Sequence, residues 1–182
     1  MDRQANLDLL YEYTKSDSLR KHALSVEAAM RAYARKHGED EELWGTVGLL
    51  HDFDYERFPE YPDHPMKGSE ILKEKGYSEL VRTTILSHVP ATQVPRESLM
   101  AKTLFACDEL CGFIMAVSVI RPNKIADLEV SSVKKKLKDK AFARSVSRED
   151  IYRGIEELGT PLEEHVGFVI GAMKESAKEL GL

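Results

Sequence analysis

The sequence predicts an all-α fold, and three observations predict it. Apolar residues recur at three- and four-residue spacing along nearly the whole chain. No alternating run bounded by turn residues marks a strand. Capping residues and breakers divide the chain into helix-sized pieces, with no internal repeat and no low-complexity linker. A length of 182 residues suits one core of ordinary size, so a single domain over 1–182 is expected.

Each element follows from its own signals. A short helix is expected over residues 3–13, and a longer one over 18–37, where Gly38 stands as the residue after the C-cap. His37 falls in the last turn of that helix, where it interacts favourably with the helix C-terminus. A third helix over 40–51 runs into a loop rich in Pro and Tyr, "DFDYERFPEYPDHP". Pro65 is a good first helical residue for a helix over 65–75, which Gly76 closes. "SELVRTTILSHV" is a helix stopped by Pro90, and "SLMAKTLFACDELCGFIMAVSVI" is a long apolar helix stopped by Pro122. The last third reads as shorter helices. Ser147 with Asp150 imitates a capping box, and "TPLEE" offers Thr160 as N-cap, Pro161 as first helical residue and Glu163 beyond it. His165, in the first turns of that helix, reads as a surface or packing residue.

Composition excludes some functions. The formal net charge is −5 and Lys and Arg are spread along the chain, so binding to a nucleic-acid polymer is not expected. The start lacks an apolar signal region, and the longest apolar run, "LCGFIMAVSVI", is too short to span a bilayer. No membrane is expected and a cytoplasmic location is. Cys107 and Cys111 lie four apart on one helical face and read as core residues. The lysines of "VKKKLKDK" point to several sides of a helix, which makes a solvated face.

The polar residues placed among apolar ones carry the functional signal. His51 and Asp52 end the run "VGLLHD", where burying an imidazole and a carboxylate is costly unless something compensates both. His22 shares a stripe with Val26, Ala29, Met30 and Tyr33 and so faces inward. Asp108 sits in the most apolar helix, with Leu104, Cys111 and Met115 on its face, and His88 shares a side with Thr84 and Ile85. Four helices thus send imidazoles or carboxylates into one interior, with His64 as a further candidate. Bundles build metal sites in this way, and such ligands suit Mn, Fe, Co, Ni or Zn.

The order His22, then His51-Asp52, then Asp108 resembles the HD domain superfamily of metal-dependent phosphohydrolases, over roughly residues 18–122. "HPMKGSEIL" resembles the His-Pro-x-x-Gly segment of HDIG-type members, and "ILSHV" supplies their later histidine. The resemblance implies an HD-domain helical bundle; the segment from about 123 to 182 lies beyond it and reads as a C-terminal helical extension that covers the core or forms a homodimer surface. The resemblance implies that His22, His51, Asp52 and Asp108 bind one divalent transition-metal ion and that His64 and His88 hold a second, with Asp52 bridging. It implies hydrolysis of a small phosphorylated substrate, a nucleotide among the candidates, by metal-activated water. Arg20, Arg57 and Lys67 lie closest in sequence to these residues and are candidates to meet phosphoryl oxygens; Asp54 and Glu56 are candidate proton donors. The sequence departs from the HDIG subset at "FDYE", and Tyr55 stands where some nucleotidase relatives carry a glutamate. Two alternatives accompany this reading: a di-iron oxygenase using the same six ligands, and a non-catalytic metal- or nucleotide-binding regulatory module.

Overall fold

The computed structural model describes residues 2–182, and among them there are helices and turns but no strand. The helices are α1 (Arg3–Tyr13), α2 (Asp17–His37), α3 (Glu41–Leu50), α4 (Asp63–Glu74), α5 (Glu79–His88), α6 (Leu99–Val119), α7 (Val130–Leu137), α8 (Arg148–Leu158), α9 (Leu162–Glu175) and α10 (Ala177–Leu180). A one-turn 3-10 segment, Pro90–Thr92, follows α5.

Local chemistry sets these ends. Asp2, Asp40, Ser78, Ser98 and Ser147 each accept a backbone N–H from three residues on, and a cap of this kind is worth about 1 kcal/mol. Gly38 ends α2 in the left-handed region at φ 71°, which glycine adopts without strain. The other boundaries fall within a residue or two of the expected ones. His64 lies within the span of α4 but has extended backbone at φ −87°, ψ 130°, so the regular helix begins at Pro65, where the sequence places its first residue. In α9 the cap is Pro161 rather than Thr160, one residue later than the capping pattern suggests.

The core forms where α2 packs on α3 and α6, with α5 on one side of α6 and α8 on another. Val26, Met30, Tyr33, Val47, Leu50, Leu104, Leu110 and Ile114 are sealed inside it. Cys107 and Cys111 are buried as expected. The final third adds its own residues to this core, among them Val133, Ile151 and Val169. His165 is a packing residue and not a surface one. It is fully buried, bonded through Nδ1 to the Tyr33 hydroxyl at 2.6 Å and through Nε2 to the Ala106 carbonyl at 2.9 Å. His37 stays exposed and stacks on Tyr33. Lys134 and Lys136 pair with Glu163 and Asp139, in keeping with a solvated face. None of the described helices is long and apolar enough to cross a membrane.

Candidate metal centre

The loop after α3 turns the chain so that His51 and Asp52 look toward α2, α5 and α6. The Thr14 hydroxyl donates to the Phe53 carbonyl at 2.9 Å, and Phe53 is fully buried against the edge of Tyr13. This anchor fixes the residues on either side. His22 from α2, His51 and Asp52 from the end of α3, and Asp108 from α6 form one donor set; Asp52, His64 and His88 form another. In each set the ligand-type atoms all lie within 4.8 Å of one another.

Asp52 belongs to both sets through different oxygens. Its Oδ2 is 3.6 Å from His51 Nε2, whereas its Oδ1 is 3.0 Å from His88 Nε2 and 3.3 Å from His64 Nε2. On the first side His22 Nε2 stands 3.1 Å from His51 Nε2 and 3.0 Å from Asp108 Oδ1.

The backs of the rings determine what their fronts present. His51 Nδ1–H donates to the Gly48 carbonyl at 2.8 Å and His88 Nδ1–H to the Ile85 carbonyl. His64 Nδ1–H donates to Asp54 Oδ1 at 3.0 Å. With those protons fixed at the back, each neutral ring turns a bare Nε2 lone pair toward carboxylate oxygens. Acceptors facing acceptors need protons or a cation between them, and in the metal-free chain His51 and His64 take up protons. Burial disfavours charge on His51, but Asp52 and Asp108 outweigh it and lift this imidazole to about 9. Burial also opposes charge on His64, yet its bonds to Asp52 and Asp54 raise it to about 9. Asp52 and Asp108 are held below the usual carboxylate range, because the attraction of His51 and the bonds to the other imidazoles exceed the opposing effect of burial. This donor chemistry fits one or two divalent transition-metal ions: soft-to-borderline imidazole nitrogens, carboxylates, and ring orientations fixed from behind.

Above the donors opens a cleft of about 380 Å³, whose walls include Tyr55, Phe105, Glu109, Gly112, Val146 and Asp150. All six expected ligand residues converge here, five of them at its surface with His51 sealed behind. The other candidates do not reach it. Arg20 donates from Nε to the Thr14 carbonyl and lies over the Tyr11 ring. Arg57 donates to the Glu12 carbonyl and covers Tyr13. Lys67 pairs with Asp63, 2.6 Å away, and covers Phe58. Glu56 accepts the backbone N–H groups of Lys15 and Ser16 at the start of α2. Asp54 is buried behind His64, with its second oxygen on the Gly68 N–H at 2.9 Å. Nearness in sequence does not put these five at the cleft: Arg20, Glu56 and Arg57 tie the loop and the start of α2 to each other and to α1, while Asp54 bonds to α4 and Lys67 within it. Glu109 and Gly112 escaped notice although they neighbour Asp108 on α6, one and four residues on, and four places a residue on the same helical face. Burial, followed by the neighbouring Asp108, pushes the Glu109 carboxyl up to about 7 against the opposing bond from the Ser147 N–H.

Comparison with known proteins places this geometry in a family. A tRNA (cytidine(56)-2'-O)-methyltransferase of Thermoplasma volcanium is 34% identical over 90 residues, a match that covers 50% of this chain and 26% of that protein. The chain therefore spans only about a quarter of that relative's length. No solved structure gave a significant match. The HD domain family matches residues 19–111, just over half of the chain and including every residue of the two donor sets, so this protein belongs to the HD domain family.

Proposed function

We propose that this protein is a metal-dependent phosphohydrolase that cleaves a small phosphate ester with water as the nucleophile. The observation that carries the reading is the pair of donor sets joined through the two oxygens of Asp52 at the floor of an open cleft. Divalent transition-metal ions bound there would lower the pKa of a coordinated water and neutralise charge building on the phosphoryl oxygens. The chain's own part is to hold the ligand atoms still. Gly48, Ile85 and Asp54 each fix one imidazole from behind, and the ring of Tyr55 meets His64 edge-on at 5.3 Å on the cleft wall.

Purified protein is expected to carry about one to two transition-metal ions and to hydrolyse a generic phosphomonoester, with both properties lost in Asp52→Ala. Elemental analysis alongside a phosphate-release assay measures this. Wild-type metal content in a folded Asp52→Ala protein would overturn the assignment.

A second reading, oxygen activation by iron at the same six residues, draws support from one feature. Neither Lys nor Arg is among the residues lining the cleft, and an uncharged substrate would need none. Anaerobic iron loading followed by oxygen-uptake measurement separates it from hydrolysis. The methyl transfer named for the Thermoplasma relative is not carried over, because the match covers only a quarter of that protein.

A further inference from the structure

The cleft over the His/Asp donors does not close at α6. Leu19, His22, Gly112, Ser145 and Val146 line both it and a second cavity of about 580 Å³, whose further walls include Met115, Ala116, Val119 and Ala143. The two spaces are neighbours across these five residues, Gly112 among them. This glycine lies inside a 21-residue helix, where glycine is less favourable than alanine. Packing does not require it: a Cβ there would come no closer than 3.7 Å to His22 Nδ1, an ordinary contact. Gly48, Gly68 and Gly154 differ, since a Cβ at each would lie within 3.0 Å of a neighbour. A larger side chain at 112 would stand on the border between the two spaces.

Charge narrows what could use it. Besides the ligand residues, the cleft carries Glu109 and Asp150 and no cation. The second cavity has one lysine, Lys21, paired with Asp17, 2.7 Å away. Cations gather instead in a neighbouring cavity that shares Pro90 with the cleft, where Arg96 and Arg153 are engaged by Glu157 at 2.6–3.1 Å and Lys102 is the remaining cation. Within the cleft and the second cavity, a substrate with several phosphates would meet carboxylates without a free compensating cation.

We propose that the substrate is a phosphate monoester of an apolar alcohol. Its single phosphoryl group lies over the His/Asp donors, and its alkyl or aryl portion passes Gly112 into the second cavity. This rests on the phosphohydrolase reading and adds the substrate class. In the reaction the water oxygen replaces the ester oxygen on phosphorus, one water proton goes to the departing alkoxide, and the products are inorganic phosphate and the apolar alcohol.

Alkylphosphonates test this without turnover. Methyl-, butyl- and hexylphosphonate would be titrated calorimetrically into manganese-loaded full-length protein, with hydrolysis of the matching alkyl phosphates and of ATP followed in parallel. Affinity is expected to rise about three- to fourfold per methylene until the second cavity fills. Gly112→Leu, and independently Ala116→Phe, which fills the cavity from α6, should collapse the hexyl-to-methyl affinity ratio while metal content stays at the wild-type level. Methylphosphonate binding with no dependence on chain length would overturn the substrate class and leave the phosphohydrolase reading standing. So would a preference for ATP over hexyl phosphate, or a wild-type dimer that Ala116→Phe dissociates, since a second copy would then occupy the cavity. Failure of every phosphonate to bind together with failure to hydrolyse any ester would overturn the phosphohydrolase reading itself, and this proposal with it.

Discussion

Asp54 shows how a residue beside a metal ligand acts without touching the metal. One oxygen holds the back of His64 and the other takes the Gly68 N–H, which gives the His-Pro-x-x-Gly segment a physical meaning. A Cβ at Gly68 would sit 2.6 Å from the Asp54 carboxylate, so only glycine brings its N–H that close. Asp54→Asn should weaken metal binding at the Asp52–His64–His88 set by about 10- to 100-fold and leave the other set near its wild-type affinity. Metal titration resolves the two steps, and equal weakening of both would show that Asp54 acts through general instability. Gly68→Ala should reproduce the selective loss. Glu56 contrasts with Asp54, because it is exposed and bonds the start of α2. Glu56→Ala should therefore leave phosphate release unchanged, and a large fall in that assay would return Glu56 to the site. The sequence makes the ligands visible because burying His or Asp in an apolar stripe needs compensation. It does not distinguish Asp54 from Glu56, since both sit in one polar loop and only the path of that loop decides which is buried.

At the level of elements, the first donor set depends on how closely α3 approaches α2. Gly48 makes that approach possible: a Cβ there would lie 2.9 Å from the Met30 side chain and the Val26 carbonyl. The Gly48 carbonyl also holds His51. Gly48→Ala should push the helices apart, with a stability loss of about 1–3 kcal/mol and loss of metal from the set containing His22 and His51. Denaturant melts and elemental analysis would show both effects, whereas an unchanged metal content would mean that α2 and α3 can separate without moving the ligands. The helices themselves were legible from periodicity and caps, with α1 at its expected bounds and α2 starting one residue early. The contribution of the last third was not. Loop residues 138–147 and the start of α8 supply Ser145, Val146 and Asp150 to the cleft, and the Arg148 guanidinium pins that loop through the carbonyls of Ala143 and Val146. No periodicity encodes such a contact, because it depends on where α8 lands on α6 and not on the pattern within either.

For the whole molecule, the ligands come from α2, the end of α3, α4, α5 and α6, so unfolding disperses them all and a bound ion stabilises only the native state. That linkage is worth about 4 kcal/mol at a metal concentration a thousand times the dissociation constant. Its dependence on pH has a definite sign. In the metal-free protein His51 and His64 are raised from 6.5 to about 9, so the stability from their pairing with carboxylates is fully present below pH 6.5 and is lost as pH rises through about 9. Asp52 and Asp108 are lowered from 3.8, so their contribution is present above that value and is lost as pH falls below it. From these four groups the metal-free protein gains most between about pH 4 and 6.5 and weakens toward pH 9, while His165, held below its usual value by burial, offsets part of that gain as pH falls below 6.5. Metal binding runs the other way, because an ion must displace the protons from His51 and His64, and its affinity should climb up to about pH 9. The rise in melting temperature on adding metal to chelator-treated protein should therefore be larger at pH 9 than at pH 6. Calorimetry in buffers of different ionisation enthalpy should detect proton release at pH 7. A stabilisation that shrinks as pH rises, or metal uptake without proton release, would mean that these imidazoles do not carry the protons that the metal replaces.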